Sequence, residues 1–276
     1  MDLNRKIDFA IKLLRNIPQD GPIEVCYSGG KDSDVILELA HMAGIPFEAI
    51  YKQTTIDPPG TTAHVKAQGV TIVRPKMSFF DIVRKHGCPS RFSRFCCQYL
   101  KEYKIHDRSI QGIRRCESTK RAERYKEPEY CRTYAEGEKV RVYLPILEWT
   151  NEDVARFIED RKIKCAPVYY DEDGRFRVER RLGCIGCPLA TDNGRGDFQR
   201  YPKLLKRYTE AASDYLRAHP NTKAHEYFGD DGVALVFRRL FFKKFDDYKA
   251  VASGGILPDS ALDIHEYMTN YFNIKL

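Results

Sequence analysis

Residues 23–34 of the chain read Ile-Glu-Val-Cys-Tyr-Ser-Gly-Gly-Lys-Asp-Ser-Asp. The first five residues are typical of a short buried strand, and the apolar residues that follow the segment recur at helical spacing. Two glycines between them predict a sharp turn at which the backbone approaches a ligand closely. The free amides of the following helix then point at the same place as the side chain of Lys31. The sequence therefore predicts a strand, a glycine turn and a helix N-terminus that bind phosphate or pyrophosphate.

The acidic residue of this segment, Asp32, would meet a bound anion unfavourably by itself. We therefore expect it to hold a divalent cation that bridges its carboxylate to the phosphates. The spacing is neither that of a Walker A loop nor Gly-x-Gly-x-x-Gly, and an ordinary strand-to-helix turn is the alternative interpretation. The candidate binding residues are Ser28, Gly29, Gly30, Lys31, Asp32 and Ser33, of which Lys31 and Asp32 are also candidate catalytic residues.

Composition narrows the class of protein. The 276 residues carry 46 Lys and Arg against 39 Asp and Glu, a formal net charge of +7, which fits nucleotides, nucleic acid or a solvated basic surface. No apolar run approaches the length that spans a membrane, so no membrane partner is expected. The first segment is typical of a packed helix and not of a signal peptide, and we expect a cytoplasmic protein. Nine cysteines in that compartment favour thiolate chemistry or metal binding over disulfides.

Strand and helix patterns alternate after the glycine turn. Further strands are expected at 46–51, 70–73, 109–113 and 140–144, which predicts an α/β fold with a doubly wound, mostly parallel sheet. Ligands are expected beyond the carboxyl ends of such strands. Residues 122–139 are charged and without period, which favours a mobile loop near the site. Beyond about residue 190 the pattern is helical, with an amphipathic helix expected at 201–218 and a last helix at 260–273. We therefore predict a nucleotide-binding domain with the cysteines at 1–190 and a helical C-terminal extension at 191–276.

Two cysteine pairs stand far apart in the sequence, Cys96 with Cys97 and Cys184 with Cys187. A fold that brings them together gives four thiolates, which suit a cubane iron-sulfur cluster or zinc. Adjacent cysteines do not easily span two corners of one zinc tetrahedron, whereas the irons of a cluster lie further apart. Zinc and no metal remain the alternatives. The other cysteines have no partner at motif spacing, with core packing expected for the first of them and the rest undecided: Cys26, Cys88, Cys116, Cys131 and Cys165.

The glycine turn resembles the PP-loop of the ATP pyrophosphatase and phosphoadenylyl-sulfate reductase superfamily, whose hallmark is Ser-Gly-Gly-x-Asp-Ser after the first strand. The resemblance extends from about residue 20 to about residue 190. It implies an adenine nucleotide alpha hydrolase-like fold that binds an adenine nucleotide, ATP with Mg²⁺ or a sulfonucleotide. Together with the PP-loop, the two cysteine pairs resemble those of iron-sulfur adenylyl-sulfate reductases and related sulfur-transfer proteins. That likeness implies a [4Fe-4S] cluster on Cys96, Cys97, Cys184 and Cys187.

Residues 112–121 fit a second motif of the family, Gly-x-Arg-x-x-Glu-Ser-x-x-Arg, and residues 145–154 fit its Pro-x-x-x-Trp-x-x-x-Asp-Val. The resemblance implies that Gly112, Arg114 and Arg121 bind the nucleotide and that Arg114 is catalytic. Both guanidinium groups suit a bidentate grip on phosphate or sulfate oxygens. An exposed charged helix is the alternative interpretation of this stretch.

The chain departs from the family in two places. After the second strand it has Gln-Thr-Thr at 53–55 where many members have Asp-Thr-Gly, so the contacts of that motif do not carry over. The reductases also carry a nucleophilic cysteine on a C-terminal tail, and here no cysteine follows Cys187. Without a thiolate at that place the usual S-sulfocysteine intermediate cannot form there.

Three interpretations follow. The first is an enzyme that adenylates an acceptor with ATP and transfers sulfur with a [4Fe-4S] centre. Its expected partner is a thiol reductant or a sulfur donor protein. The second is a sulfonucleotide reductase whose nucleophile is Cys116, Cys131 or a partner's thiol. The third is a non-catalytic nucleotide and cluster module whose basic loop, residues 114–126, contacts nucleic acid.

Overall fold

A computed structural model describes residues 2–134, 137–253 and 262–276 of the chain. In chain order its helices are α1 (Leu3–Arg15), α2 (Lys31–Ala43), α3 (Thr61–Ala67), α4 (Phe79–His86), α5 (Phe95–Leu100), α6 (Thr119–Arg124), α7 (Asn151–Asp160), α8 (Arg195–Arg200), α9 (Pro202–Ala218), α10 (Lys223–Phe228), α11 (Gly232–Phe241), α12 (Phe245–Ala252) and α13 (Ile264–Phe272). Its strands are β1 (Ile23–Tyr27), β2 (Glu48–Lys52), β3 (Thr71–Val73), β4 (Arg108–Ile110), β5 (Glu129–Thr133) and β6 (Lys139–Tyr143).

The strands form one sheet in the order β3-β2-β1-β4-β6-β5. Every neighbouring pair is parallel except β5 with β6, which is antiparallel. The predicted α/β fold with a mostly parallel sheet is therefore confirmed. The chain moves outward from β1 to β3 on one side and then returns to place β4 on the other side of β1. The carboxyl end of β1 is thus the point where strand order reverses, which is where ligands bind in sheets of this kind.

The described chain forms two compact units, each of which is discontinuous in sequence. The first contains Met1–Gln53, Asp57–Arg74 and Lys101–Gly183 and includes the sheet. The second contains Thr54–Ile56, Pro75–Leu100 and Cys184–Leu276. These units divide the chain differently from the predicted boundary at residue 190, because the second unit also takes up α4, α5 and the residues that follow Gly183. Both cysteine pairs therefore lie in the helical unit and not in the unit with the sheet.

The core of the first unit lies against one face of β1. Side chains alternate along a strand, so Ile23, Val25 and Tyr27 point to this face and pack with the apolar side of α2. Helix α2 is buried along most of its length, and it ends at Gly44, whose φ of +67° is the left-handed conformation typical of a helix C-terminus. The strand and the helix are therefore held rigidly on both sides of the glycine turn.

The core of the second unit is helical and rich in aromatic residues. Helix α4 begins with a capping box in which Ser78 and Asp81 satisfy each other's backbone amides. Its apolar side packs with α9 and α11, and Phe79, Tyr208 and Phe237 belong to the same buried cluster. The amphipathic helix predicted near 201–218 is confirmed as α9, and the helical pattern after residue 190 is confirmed by α8 to α13.

The prediction of a loop at 122–139 is wrong in part. Helix α6 extends to Arg124, and residues 129–133 form β5, which pairs along its length with β6. The pattern was missed because β5 is an edge strand whose side chains alternate between exposed and half-buried, so its composition stays charged. A final helix was predicted over 260–273 and lies at Ile264–Phe272, while 260 and 261 fall outside the described residues. None of the described helices is long and apolar enough to cross a membrane.

Candidate functional site

The glycine turn connects β1 to α2 through Ser28, Gly29 and Gly30. Gly29 has a φ of +77°, and a Cβ at this position would lie 3.1 Å from a side-chain carbon of Thr61. Both the conformation and the space therefore require glycine. Gly30 is the N-cap of α2 and offers no side chain to its free amides. Its carbonyl accepts hydrogen bonds from the N–H groups of Ser33 and Asp34 at 2.9 and 3.0 Å, which closes the first helical turn.

The turn lines a cavity of about 190 Å³, which we call the loop cavity. Its walls come from the turn, from the segment after β4, and from residues 169–182. The lining residues are Cys26, Ser28, Gly30, Lys31, Asp32, Ser33, Gly112, Ile113, Glu117, Arg121, Tyr169, Arg181 and Leu182. Most of the predicted nucleotide-binding residues are thus brought together around one space, while Gly29 shapes the turn and Arg114 lies behind the wall.

Two charged residues at the start of α2 form an ion pair. Lys31 Nζ lies 2.9 Å from Asp32 Oδ2, and the lysine side chain is only 5% exposed. The ammonium group also lies 5.6 Å from the ring centre of Tyr169. Burial raises the pKa of the Tyr169 hydroxyl to about 12, so this group stays neutral at pH 7 and adds no negative charge to the cavity.

Arg114 is buried and donates to protein acceptors on several sides. Its Nε lies 2.8 Å from Asp32 Oδ1, and one terminal nitrogen lies 3.0 Å from Asn151 Oδ1. The other terminal nitrogen donates to Cys116 Sγ and to the carbonyl oxygen of Trp149. The sequence predicted that Arg114 grips phosphate or sulfate oxygens, whereas in this structure its donors hold Asp32 and the start of α7. Arg114 is therefore placed as a positioning residue for Asp32.

Gly112 lies where two backbones approach each other. A Cβ at this residue would stand 2.9 Å from the carbonyl oxygen of Asp32, a separation that real side chains do not adopt. The glycine therefore lets the segment after β4 lie directly against the first turn of α2. This contact explains why a glycine precedes Arg114 by two residues.

Two guanidinium groups meet in the wall of the loop cavity. Burial lowers the pKa of Arg121, and the charge of Arg181 lowers it further. Glu117 contacts both, forming an ion pair with Arg121 and lying 3.5 Å from Arg181. One carboxylate shared by two arginines leaves an excess of positive charge on this wall. Arg181 carries no motif in the sequence, and only the fold reveals its place here.

A buried polar network supports the glycine turn. Tyr27 donates a hydrogen bond to Asp34, and His64 Nε2 lies 2.9 Å from both the Tyr27 hydroxyl and Asp34 Oδ1. These three residues come from β1, α2 and α3. They tie the two ends of the glycine turn to a third element, so the amides of α2 are held in place before any ligand binds.

A second cavity, of about 250 Å³, lies beside the first and shares Cys26 and Ser28 with it. We call it the strand cavity, because the side chains of β1 and β2 form its floor. Glu24 Oε1 there lies 3.1 Å from Lys52 Nζ and accepts a hydrogen bond from Cys26 Sγ at 3.2 Å. Core packing was expected for Cys26, but its side chain lines both cavities instead. Burial and the Glu24 carboxylate raise the pKa of its thiol.

The cysteine pairs come together in the second unit. The pKa of Cys96 is raised by a hydrogen bond with Cys97, by burial, and by the charges of Cys97, Cys184 and Cys187. Four thiols from two remote segments are therefore neighbours. Within the described residues, no group of three or more His, Cys, Asp or Glu side chains is arranged to hold a single metal ion. Their role as metal ligands stays a prediction.

A buried arginine fixes the loops that carry these cysteines. Arg239 on α11 is 6% exposed, and its nitrogens donate to the carbonyl oxygens of Pro89, Gly186 and Asn193. Gly186 lies between the two cysteines of the second pair, and Pro89 lies between Cys88 and the first pair. Sequence analysis missed Arg239, because a charged residue inside an apolar helix gives no indication of what it contacts.

The candidate substitute nucleophiles lie elsewhere. Cys116 is exposed, accepts from Arg114 and donates to the Trp149 carbonyl, and it does not line the loop cavity. Cys131 is exposed on β5 and lines a separate surface depression. Cys165 is buried, which raises the pKa of its thiol. Neither of the two candidate nucleophiles, Cys116 and Cys131, lines the loop cavity, whereas Cys26, for which core packing was expected, does.

Comparison with known families gives one match that covers more than half of the chain. Residues 22–190 match the phosphoadenosine phosphosulfate reductase domain. An uncharacterized protein of Methanocaldococcus jannaschii is 29% identical over 207 residues, which are 68% of this chain and 47% of that protein. An uncharacterized 37.8 kDa protein of Escherichia phage 186 is 30% identical over 160 residues, 52% of this chain and 45% of that protein. The chain spans about half the length of these curated relatives.

Solved structures show more distant likeness. A phosphoadenylyl-sulfate reductase from Candida auris, solved with phosphate, is 15% identical with a TM-score of 0.43, covering 66% of this chain and 93% of that one. FMN adenylyltransferase from Candida glabrata, solved with FMN and an ATP analogue, is 18% identical with a TM-score of 0.44, covering 66% and 62%. TM-scores below 0.5 establish no shared activity.

Proposed function

The chain belongs to the phosphoadenosine phosphosulfate reductase domain family, and from that premise we propose that its loop cavity binds the phosphates of an adenine nucleotide. The proposal rests on one observation, which is that the glycine turn, the start of α2 with Lys31, and the side chains of Arg121 and Arg181 all line the same cavity. Several positive groups around one space suit a polyphosphate better than a single neutral ligand.

We propose that the nucleotide is ATP and that the chain is an ATP pyrophosphatase that adenylates an acceptor for sulfur transfer. In that reaction an acceptor oxygen bonds to the α-phosphorus while the bond to the β-phosphate breaks, and pyrophosphate leaves. The charge that develops on the leaving pyrophosphate falls where the amides of α2 and Lys31 are already placed. A sulfur donor then displaces AMP from the activated acceptor. The location in the cytoplasm stays a prediction.

The donor set at the start of α2 fits a Mg²⁺ ion bound together with the nucleotide. Asp32 supplies carboxylate oxygens, which are ligands that Mg²⁺ prefers alongside phosphate oxygens. When bound, the ion would neutralise charge on the phosphates. Both carboxylate oxygens are held in ion pairs by Lys31 and Arg114, so these two residues orient Asp32 towards the cavity and limit its movement.

The four neighbouring thiols also fit the [4Fe-4S] cluster that the sequence predicts. Cys96, Cys97, Cys184 and Cys187 would hold it, and when bound it would supply a site for a sulfur atom or a thiolate. Zinc, which requires four ligands that converge on one ion, stays the alternative.

The proposal is tested on protein purified without oxygen. We expect ATP to bind with Mg²⁺ and to release pyrophosphate when the acceptor is present. Lys31→Ala should weaken ATP binding at least about tenfold, since a hydrogen bond to a charged group contributes about 1.5–3 kcal/mol. Lys66→Ala, which removes an exposed lysine on α3, is the matched control. Adenylation would be contradicted if ATP were cleaved with none of the acceptors while adenylyl sulfate bound tightly.

Iron and sulfide contents test the cysteine assignment separately. Equal amounts of both, with visible absorption, are expected in the unaltered protein. Cys96→Ser and Cys187→Ser should each lose them, while Cys131→Ser should retain them because that thiol is exposed on β5. Zinc in place of iron would support the alternative metal.

One observation favours sulfonucleotide reduction as a second candidate, namely that Cys26 lines both cavities beside the acceptor Glu24. In that reaction the Cys26 sulfur bonds to the sulfuryl sulfur while the bond to the nucleotide oxygen breaks. A second thiol, from a partner protein, then releases sulfite and leaves a disulfide. We rank this candidate second because burial disfavours the thiolate that attack requires. Sulfite formation with reduced thioredoxin that is lost in Cys26→Ser would establish it.

A further inference from the structure

The second unit carries a basic surface close to its cysteines. A small cavity of about 100 Å³ there is lined by Ser90, Arg91, Phe92, Pro188, Asn193, Arg238, Arg239, Phe242 and Lys243. Four of these residues are cationic and none is acidic. In the described part of the chain, Arg91, Arg238 and Lys243 have no carboxylate within salt-bridge distance. We call Arg91, Phe92, Arg94, Arg238 and Lys243 the basic patch.

An aromatic side chain projects from the middle of this surface. Phe92 is 87% exposed, more than any other large hydrophobic residue of the described chain. It stands on a tight turn in which the hydroxyl of Ser90 accepts from the N–H groups of Phe92 and Ser93. Arg239 fixes the base of the turn through the carbonyl of Pro89. The ring is therefore exposed on a structured turn, and exposed arginines, Arg91 and Arg94, lie close to it along the chain.

The basic patch and the cysteines share their loops. The turn that carries Phe92 leads directly into Cys96, and Pro188 in the cavity wall follows Cys187. Arg239 reaches both loops, since it also donates to the carbonyl of Gly186. A molecule lying on the patch is therefore brought next to the four thiols.

We propose that the basic patch binds single-stranded nucleic acid. Phosphates require cations that are not already paired, which Arg91, Arg94 and Lys243 provide. An unpaired base offers a flat π-face to an exposed aromatic ring, whereas the bases of a duplex are already stacked on each other. An acidic peptide would pair with the cationic side chains of the patch, but its carboxylates would not stack on the ring of Phe92. The sequence favoured residues 114–126 for such contacts, but Arg114 is buried there and Arg121 lines the loop cavity that we propose for the nucleotide.

The inference also names the acceptor class, and in that respect it rests on the proposed sulfur transfer. Binding itself does not depend on that function. Lys31→Ala should abolish pyrophosphate release and leave strand binding unchanged, so the failure of one proposal is distinguishable from the failure of the other.

The experiment measures fluorescence anisotropy of the full chain with labelled single-stranded RNA, single-stranded DNA and duplex DNA between 50 and 200 mM salt. We expect either single strand to bind more tightly than the duplex, and the two single-stranded arms show which sugar is preferred. Replacing Arg91, Arg94 and Lys243 together by alanine should reduce the slope of log K against log salt by about 2, given about 0.7 per phosphate contact on a single strand. Removing Arg200, Lys203 and Lys206 in the same way takes away three exposed charges outside the patch and should change the slope little.

Phe92→Ser separates stacking from charge. It should weaken single-strand binding roughly tenfold with an unchanged salt slope, since the loss of one stacked base is a large effect that involves no counterions. The side chain is exposed, so the variant should fold normally, which circular dichroism checks. Two results would overturn the proposal. One is equal binding of duplex and single strand. The other is displacement of the strand by polyglutamate of the same charge, together with unchanged strand binding in Phe92→Ser.

Discussion

Arg114 Nε donates to Oδ1 of Asp32 at 2.8 Å, from a side chain that is 2% exposed. The arginine belongs to the segment after β4 and the aspartate to the first turn of α2. Their contact joins the two walls of the loop cavity at its base. The sequence predicted Arg114 as an anion ligand, whereas in this structure its guanidinium group contacts a carboxylate that lines the loop cavity.

The first prediction concerns the guanidinium fork of Arg114. Arg114→Lys keeps a positive charge for Asp32 but leaves the acceptors on Asn151 and Trp149 without their donors. We expect the free energy of unfolding to fall by about 1–3 kcal/mol, measured by urea denaturation. Arg156→Lys is the control, because its ion pair with Asp160 is exposed on both partners and should cost less than about 1 kcal/mol. Unchanged stability with a lost affinity for ATP would instead show that Arg114 grips the nucleotide, as the sequence predicted.

The second prediction concerns Asp32 and the divalent cation. Asp32→Asn removes the negative charge that Lys31 and Arg114 now share. We therefore expect ATP without Mg²⁺ to bind more tightly than to the unaltered protein, while the gain on adding Mg²⁺ is lost. Titration calorimetry with and without the ion measures both effects. Asp160→Asn, on the exposed end of α7, is the control and should change neither affinity. A persisting Mg²⁺ effect in Asp32→Asn would place the ion elsewhere.

Gly112 gives the third prediction. An added Cβ would meet the Asp32 carbonyl at 2.9 Å, so Gly112→Ala should push the segment after β4 away from α2. We expect a loss of about 1–3 kcal/mol in unfolding free energy together with weaker ATP binding. A Cβ at Gly183 meets no atom within 4 Å, and Gly183→Ala should stay within about 0.5 kcal/mol. Equal effects of the two changes would show that the close approach is not required.

The fourth prediction concerns Arg239. Arg239→Met leaves the carbonyls of Pro89, Gly186 and Asn193 without their buried donors, at about 1–3 kcal/mol for each one that water does not reach. We expect a lower unfolding free energy and, in protein purified without oxygen, a lower iron content, because the cysteine loops lose their common anchor. Arg238→Met on the same helix removes a half-buried guanidinium group whose hydrogen bond goes to the Lys243 carbonyl and not to a cysteine loop, and it should affect neither quantity. Full iron content in Arg239→Met would show that the loops keep their arrangement without it.

Much of the first unit was predictable because its pattern is local. A β-rich run, two glycines and an amphipathic segment follow one another between residues 23 and 43, and the structure has β1, the turn and α2 at those places. The edge strand β5 was missed, since its side chains alternate only between exposed and half-buried and its composition therefore stays charged. Arg181, Tyr169 and Leu182 were missed for another reason. They come from a loop without motif, and their place in the cavity depends on a chain reversal some 140 residues beyond the turn.

The sequence by itself determined the glycine turn, its location at the end of the first strand and the alternation of strands and helices that predicts a parallel sheet, because these depend on residues that are neighbours along the chain. Only the tertiary structure decided that Arg114 serves Asp32, that Cys26 opens onto two cavities, and that the four cysteines belong with the helices. Each of those outcomes depends on contacts between segments dozens of residues apart. Such contacts are fixed by how helices and strands pack, and no short stretch of sequence contains that information.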